Sequence, residues 1–429
     1  MTMARRALNC ALIATLIVAT GCTVNPVTGK SQLDLLGEAQ EVQLGKTLYP
    51  GAIQGSLGPI ASDEVQKEVG RVGEAVATVS HRPGLEYRFT AVNDPEVNAF
   101  ALPGGKICIT RGLLSRLDSE DGLAAVLGHE VGHVTARHVV SAYNRQLLLG
   151  AIIAGGAVYM ESEDVQNRGL ITLGALVGGQ LVLAHYSREQ EREADDLGLQ
   201  YAVKAGYSPQ GMIETQRVLL ALQKTQPGVV QRLFASHPMS AERLVTAEQR
   251  VATLPPDVRE RAVRAQPFRT VMAGVMRERP AWDLAREGLG LLGDHKGREA
   301  EEKLAEAVRL APDEGVLRTL HAIALAGLKR KDDAITDARA GARLAAGVFV
   351  SRVVAGELLV DQDAAAALAN LDGAEALLPG QARVSLLRGM ALERLGRASE
   401  ARAAYGEAKR RDPQGQVGAE ADRRLRSLG

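Results

Sequence analysis

DGLAAVLGHEVGHVTARHVVS, running from Asp121 to Ser141, decides how the rest of the chain is read. Leu123, Val126, Leu127, Val131 and Val134 recur at helical spacing, which predicts a helix with an apolar face. On that helix His129 and His133 lie one turn apart on one side. Two imidazoles so placed can share a metal ion, and neutral imidazole nitrogen suits zinc, whose catalytic sites take three protein ligands and leave one position open. Glu130 is a carboxylate able to take the proton of a water attacking a carbonyl. The same histidine spacing also occurs on exposed faces and in hydrogen-bonded cores, so the pattern needs a second element.

That element is SREQEREADDLGLQ, Ser187 to Gln200. Ser187 with Gln190 three residues later has the form of a capping box and predicts a helix start. Glu191 and Asp195 then share a face, where one acid can ligate and the other can hold a ligating histidine in its tautomer. By itself the run of acids among basic residues also describes a solvated helix laced with salt bridges.

His129-Glu130-x-x-His133 together with Glu191-x-x-Ala194-Asp195 resembles the zinc metalloprotease family that contains the CAAX prenyl protease and the bacterial membrane heat-shock protease. Asn98-Ala99-Phe100-Ala101-Leu102-Pro103-Gly104-Gly105 resembles the strand and turn before the zinc helix in that family, and His237-Pro238 with Arg243 its later block. The likeness spans about residues 30 to 250, and the layout is most similar to periplasmic members that add tetratricopeptide repeats. It implies one zinc ion per chain held by His129, His133 and Glu191, with Glu130 as general base and Asp195 behind the ligands. It also implies Glu191 rather than Glu193 as third ligand; Glu193 points away from Asp195 on a helix.

The 429 residues are too many for one ordinary domain. Charges balance at 51 of each sign, so no broad basic surface points to nucleic acid as a partner. Aromatics make up 3%, and the abundance of alanine, leucine and arginine favours helices. Residues 1–21 read as a signal peptide, with Arg5 and Arg6 ahead of an apolar stretch from Ala11 to Ala19. Ala19-Thr20-Gly21-Cys22 resembles a bacterial lipobox, which makes Cys22 the expected lipidated N-terminus; simple cleavage nearby and an uncleaved anchor are the alternatives. Ala19 is a weaker fit than the usual leucine. Thr23 after the cysteine resembles lipoproteins sorted to the outer membrane, so the expected location is the periplasm, anchored to the inner face of that membrane. With Cys10 removed and Cys22 lipidated, Cys108 has no disulfide partner and reads as a buried strand thiol.

Residues 22–60 read as a lipidated tether and a leading helix over Leu35 to Leu48, and a further amphipathic helix is predicted from Asp63 to Val79. Strands are expected at Leu85 to Val92, Val97 to Leu102 and Ile107 to Thr110, with Pro103-Gly104-Gly105 as a tight turn. An edge strand beside a zinc site can take an extended peptide by backbone pairing, so Asn98 to Gly105 is a candidate substrate strand; an ordinary hairpin is the plainer reading. The apolar runs Leu147 to Met160 and Leu170 to Ala184 fall short of the ~20 residues a membrane-spanning helix needs, and read as a helical hairpin on the protease or against a membrane surface. His185 and Tyr186 read as packing or capping residues. His237 has two readings: a fourth ligand that keeps the resting site latent, or, with Arg243, an oxyanion stabiliser.

Residues 61–254 are therefore read as the metalloprotease domain and 255–280 as linker helices. From Ala281 the chain repeats: Leu310-Ala311-Pro312, Leu344-Ala345-Ala346, Leu378-Pro379 and Asp412-Pro413 recur every 33 or 34 residues. Four units of two helices fit, 281–313, 314–347, 348–380 and 381–413, with Val417 to Leu428 as a cap and the third unit lacking most signature residues. The fold expected is mainly α: a gluzincin-type domain with a small sheet, followed by an α-solenoid of tetratricopeptide-like repeats over 281–429. The function expected is a zinc-dependent endopeptidase of the bacterial periplasm, and the family resemblance implies a part in envelope quality control. Its partners would be protein substrates, misassembled outer-membrane proteins or their assembly machinery recruited by the repeats, and a membrane through the anchor. A chaperone or scaffold with latent protease activity is the alternative; missing full-length spans speak against an intramembrane prenyl protease.

Overall fold

The computed structural model describes residues 22–29, 31–33, 36–145, 186–238 and 241–428. The expected signal segment, both apolar runs and His185 lie outside these residues. Among the described residues no helix is long and apolar enough to cross a membrane.

A short ladder of β1 (Cys22–Val24) and β2 (Ser31–Leu33) opens the fold. Asn25 in its turn donates to the Ala136 carbonyl, at the end of the motif helix. Helix α1 (Glu38–Gly55) and helix α2 (Asp63–Thr78), the latter capped by Ser62, precede the sheet. The sheet contains β3 (Arg88–Val92), β4 (Ala99–Leu102) and β5 (Lys106–Thr110) in the order β3-β5-β4. β5 runs parallel to β3 and antiparallel to β4. β3 starts later than expected because Leu85 is in a turn, donating its N–H to the Arg82 carbonyl. Period-two alternation divides the faces. Ala99, Ala101, Ile107 and Ile109 join the main core, while Phe100, Leu102 and Cys108 pack against Leu48 and Ala52 of α1. Cys108 is thus a buried strand thiol.

Helix α3 (Glu120–Thr135) carries the motif and is buried nearly all round, its polar residues Asp121, Glu130 and His133 included. Ser119 caps it, and the Asp121 carboxylate accepts from Ser208 N and Arg264 N, so two loops grip its first turn. Helix α4 (Arg188–Lys204) starts with the Ser187–Gln190 capping box. The two helices cross with backbone against backbone. A Cβ added at Gly198 would fall 2.7 Å from His129 N, and one added at Gly128 would fall 2.8 Å from Gly198 O. Helix α5 (Gln210–Thr225) and helix α6 (Ala241–Thr253) close the domain.

Helix α7 (Ala273–Gly293) leads into the repeats and pairs with α8 (Gly297–Leu310). The next pairs are α9 (Gly315–Gly327) with α10 (Lys331–Leu344), α11 (Phe349–Leu359) with α12 (Ala364–Leu377), and α13 (Ala382–Arg394) with α14 (Ala398–Arg411). Helix α15 (Gln416–Ser427) follows. Gly288, Gly356 and Gly389 leave no room for a Cβ beside Leu304, Leu371 and Tyr405 respectively, and Ala322 and Ala338 stand at the equivalent places of the second pair. A small residue at one fixed level of each first helix explains why the period survives in the third unit despite its missing signature.

The repeats are fastened to the sheet domain. Gln54 donates to Gly347 O and accepts from Phe349 N. Arg111 is buried between Glu278 and Glu314 with its guanidinium over the Trp282 ring, and Arg116 pairs with Asp283.

Overpacking at the helix crossing predicts that Gly198→Ala lowers stability by about 1–3 kcal/mol. Gly70→Ala, on an open stretch of α2, should leave stability unchanged or raise it by up to ~1 kcal/mol through helix propensity. Thermal unfolding followed by circular dichroism compares the two.

Candidate metal centre and active site

The α3–α4 crossing sets the site. His129 and His133 turn their Nε2 atoms toward each other, 3.1 Å apart. From α4, Glu191 brings Oε1 to 3.2 Å from His133 Nε2 and Oε2 to 3.6 Å from His129 Nε2. His237, at the end of the short helix Gln231–Ser236, places Nδ1 3.0 Å from Glu191 Oε1 and 3.3 Å from His129 Nε2. One ligand atom from each of these four residues lies within 4.8 Å of the others. Nitrogen lone pairs crowded around one point repel unless a proton or cation sits among them. Imidazole nitrogens with one carboxylate oxygen are the donor set zinc takes, so the residues present fit that ion.

The surroundings orient the set. Asp195 Oδ1 is 3.0 Å from His129 Nδ1, the nitrogen facing away from the cluster. Arg243 grips Glu191 and Asp195 of α4, with Nε 2.7 Å from Asp195 Oδ2, Nη2 2.7 Å from Asp195 Oδ1 and Nη1 2.7 Å from Glu191 Oε2. Burial alone would raise the Asp195 carboxyl, but Arg243 and His129 outweigh it and hold it down to about 2. Glu191 is likewise pushed down against its burial by His237 and His129. Desolvation drives His133 well below the ordinary histidine value. Arg243, one expected oxyanion stabiliser, pairs with Asp195 and Glu191 and also lines the cavity beside Glu130.

Glu130 is 2% exposed, and burial raises its carboxyl. Its Oε2 has no hydrogen-bond partner among the described residues, and its Oε1 is 3.8 Å from His237 Nε2. His129, Glu130 and His237 line a cavity with an empty volume of about 480 Å³, open mouth included. Its walls are mainly apolar: Ala99 of β4, Val126 of α3, Met212 and Leu219 of α5, and Leu233.

Of the candidate substrate strand, Ala99 reaches this cavity, and β4 is an edge of the three-stranded sheet. Pro103, Gly104 and Gly105 do not reach it; they are buried under α1, where a Cβ at Gly104 would strike Val42. Tyr186 stacks on the His133 ring at 3.7 Å. Sequence reasoning missed His138 and gave Glu193 no place. His138 Nδ1 is 3.1 Å from His133 Nδ1, and its Nε2 is 3.2 Å from Glu193 Oε2. Its presence five residues past His133 was visible; its direction was not, because Arg137 takes a left-handed φ of 59° and redirects the chain.

Residues 63–251 match the family model described as Peptidase family M48. That stretch of the chain is similar to the M48 peptidases. This agrees with the zinc metalloprotease resemblance carried by the motifs. The beta-barrel assembly-enhancing protease of Escherichia coli (strain K12) is 28% identical over 238 residues, covering 54% of this chain and 48% of that protein. Mitochondrial metalloendopeptidase OMA1 of Arabidopsis thaliana is 38% identical over 145 residues, 34% of this chain and 28% of its own length. The chain thus spans about half the length of the first relative and less of the second. YrrB, a solved TPR protein with an unusual peptide-binding site, aligns over 45% of this chain and 97% of its own at 15% identity, with a TM-score of 0.31. The repeats of this chain are seen in its own helix pairs.

Removing Arg243 would leave Glu191 and Asp195, two buried carboxylates, without their shared cation. In the metal-free protein Arg243→Met should cost about 3–5 kcal/mol, the usual penalty of breaking a buried charge pair. Chemical denaturation measures it, and a loss under 1 kcal/mol would contradict the clamp.

Proposed function

We propose that this chain is a zinc-dependent endopeptidase of the bacterial periplasm that acts on envelope proteins. The observation that carries the reading is the convergence of His129, His133 and Glu191 beside a buried Glu130 whose Oε2 is free to accept a proton, at the wall of an open cavity. Zinc, when bound, polarises a substrate carbonyl and makes water easier to deprotonate. Glu130 takes the proton of the attacking water on Oε2 and passes it to the leaving amine. Its raised proton affinity suits both halves of that shuttle. Asp195 and Arg243 hold His129 and Glu191 in place throughout. The edge of β4 aligns the substrate backbone, and the apolar cavity takes an apolar side chain next to the scissile bond.

The cellular setting is supported by the lipobox-like Ala19 to Cys22, by Thr23, and by the name of the beta-barrel assembly-enhancing protease, 28% identical over the shared region. On this reading Cys22 is lipidated, the enzyme sits at the inner face of the outer membrane, and its substrates are misassembled outer-membrane proteins. The repeats recruit those substrates or their assembly machinery. A second reading, a scaffold or chaperone with a latent protease, is favoured by one observation: His237 stands in the ligand group, where it would occupy the position that substrate or water needs.

Glu130→Gln should keep one zinc per chain and lose about 10²- to 10⁴-fold in cleavage of casein and of an unfolded outer-membrane protein, the range of general acid–base catalysis. Retained cleavage would remove Glu130 from the mechanism. His237→Ala should raise cleavage if His237 guards the site; a fall would assign it to the reaction instead.

A further inference from the structure

We propose that His138 and Glu193 form a positioning pair that fixes which nitrogen of His133 faces the metal, an inference that rests on the zinc reading above. Arg137 separates α3 from the helical residues 138–145 with its left-handed backbone and is anchored by Leu36 O and Glu41. The turn brings the His138 ring back onto His133, on the side away from the ligand cluster. Both rings are buried, at 0% and 4% exposure, so neither nitrogen of this contact can turn to water instead.

The protons are then determined by elimination. His133 Nε2 faces His129 Nε2 and Glu191 Oε1, so to ligate it must carry its lone pair there. The His133 proton therefore sits on Nδ1. His138 Nδ1, 3.1 Å away, must accept it, which leaves the His138 proton on Nε2. That N–H points at Glu193 Oε2, 3.2 Å away, and a carboxylate can only accept. No other distribution over two neutral rings satisfies all three contacts. Tyr186, stacked face to face on His133, holds the plane of the ring but cannot distinguish its two nitrogens.

The two ligand histidines are thus served by parallel devices of different length. Asp195 accepts from His129 Nδ1 directly; Glu193 acts on His133 through His138. This gives Glu193 a place that the ligand assignment to Glu191 had left empty.

The test measures zinc affinity of the full chain by competition with a chromophoric chelator, with folding checked by circular dichroism. His138→Leu should weaken zinc binding about 10- to 100-fold, the usual effect of losing such a partner. His138→Gln, whose side-chain oxygen can accept from His133 Nδ1, should recover most of it. Glu193→Leu should weaken binding less than His138→Leu, and the double variant should be no worse than His138→Leu alone, because Glu193 works only through His138. Zinc affinity within twofold of the unsubstituted chain for His138→Leu, or additive losses in the double variant, would overturn the pair. If His138→Leu does not fold, His138→Gln and Glu193→Leu decide it: loss in the second alone is expected, and loss in the first alone overturns it. An unsubstituted chain that binds no zinc would sink the metal reading and this inference with it; zinc binding that ignores His138 would sink only the inference.

Discussion

Gly128 and Gly198 stand where α3 and α4 cross with no space for a side chain between them. The two imidazoles are on one helix, and the carboxylate that completes the set is on the other, so every distance in the cluster is fixed by how closely the backbones approach. Ala194 and Gly132 keep the same closeness one turn along, where a Cβ on Gly132 would lie 3.0 Å from Ala194 O. A methyl at the crossing would push Glu191 away from both histidines at once. The gripped first turn of α3 and the capping box of α4 set the two helices along their axes, and the crossing sets their separation.

The close approach also concentrates charge. Glu191, Asp195 and Glu130 are all buried close together, which weakens solvent screening between them. Arg243 answers two of these acids, and a metal among the ligands would answer the rest of the field. Glu130 Oε2 has no hydrogen-bond partner among the described residues, and that unmet hydrogen-bonding capacity makes it available for chemistry. The same logic extends outward along His138 to Glu193, where each buried polar atom finds the next.

Much of this was legible in the sequence, for physical reasons that differ from residue to residue. The i, i+4 spacing of His129 and His133 permits one arrangement on a helix, and the Ser187–Gln190 cap marks where α4 must begin. The repeats were legible through their period, since small residues must recur wherever helices pack at one level. The sheet hairpin was readable, but not that Pro103 to Gly105 would lie under α1, a long-range packing event that no local pattern reports. Arg243 carried no sign of its target, because a guanidinium can serve an oxyanion or a carboxylate equally well. His138 was hidden by a single left-handed residue. Glu193 looked like one more solvated acid until its partner was placed.

The repeats are joined to the sheet domain by buried contacts. Arg111, beside the end of β5, is held by two glutamates and a tryptophan of the first helices, and Gln54 of α1 bonds across to the start of α11. A polypeptide held by the solenoid would therefore keep a fixed bearing toward the cavity beside Glu130. The chemistry at Glu130 presupposes the metal. Zinc K-edge X-ray absorption on the purified chain tests that most directly: the account predicts one zinc with imidazole nitrogens and a carboxylate oxygen at about 2.0–2.2 Å. Absence of stoichiometric zinc, or a first shell that contains sulfur, would contradict it.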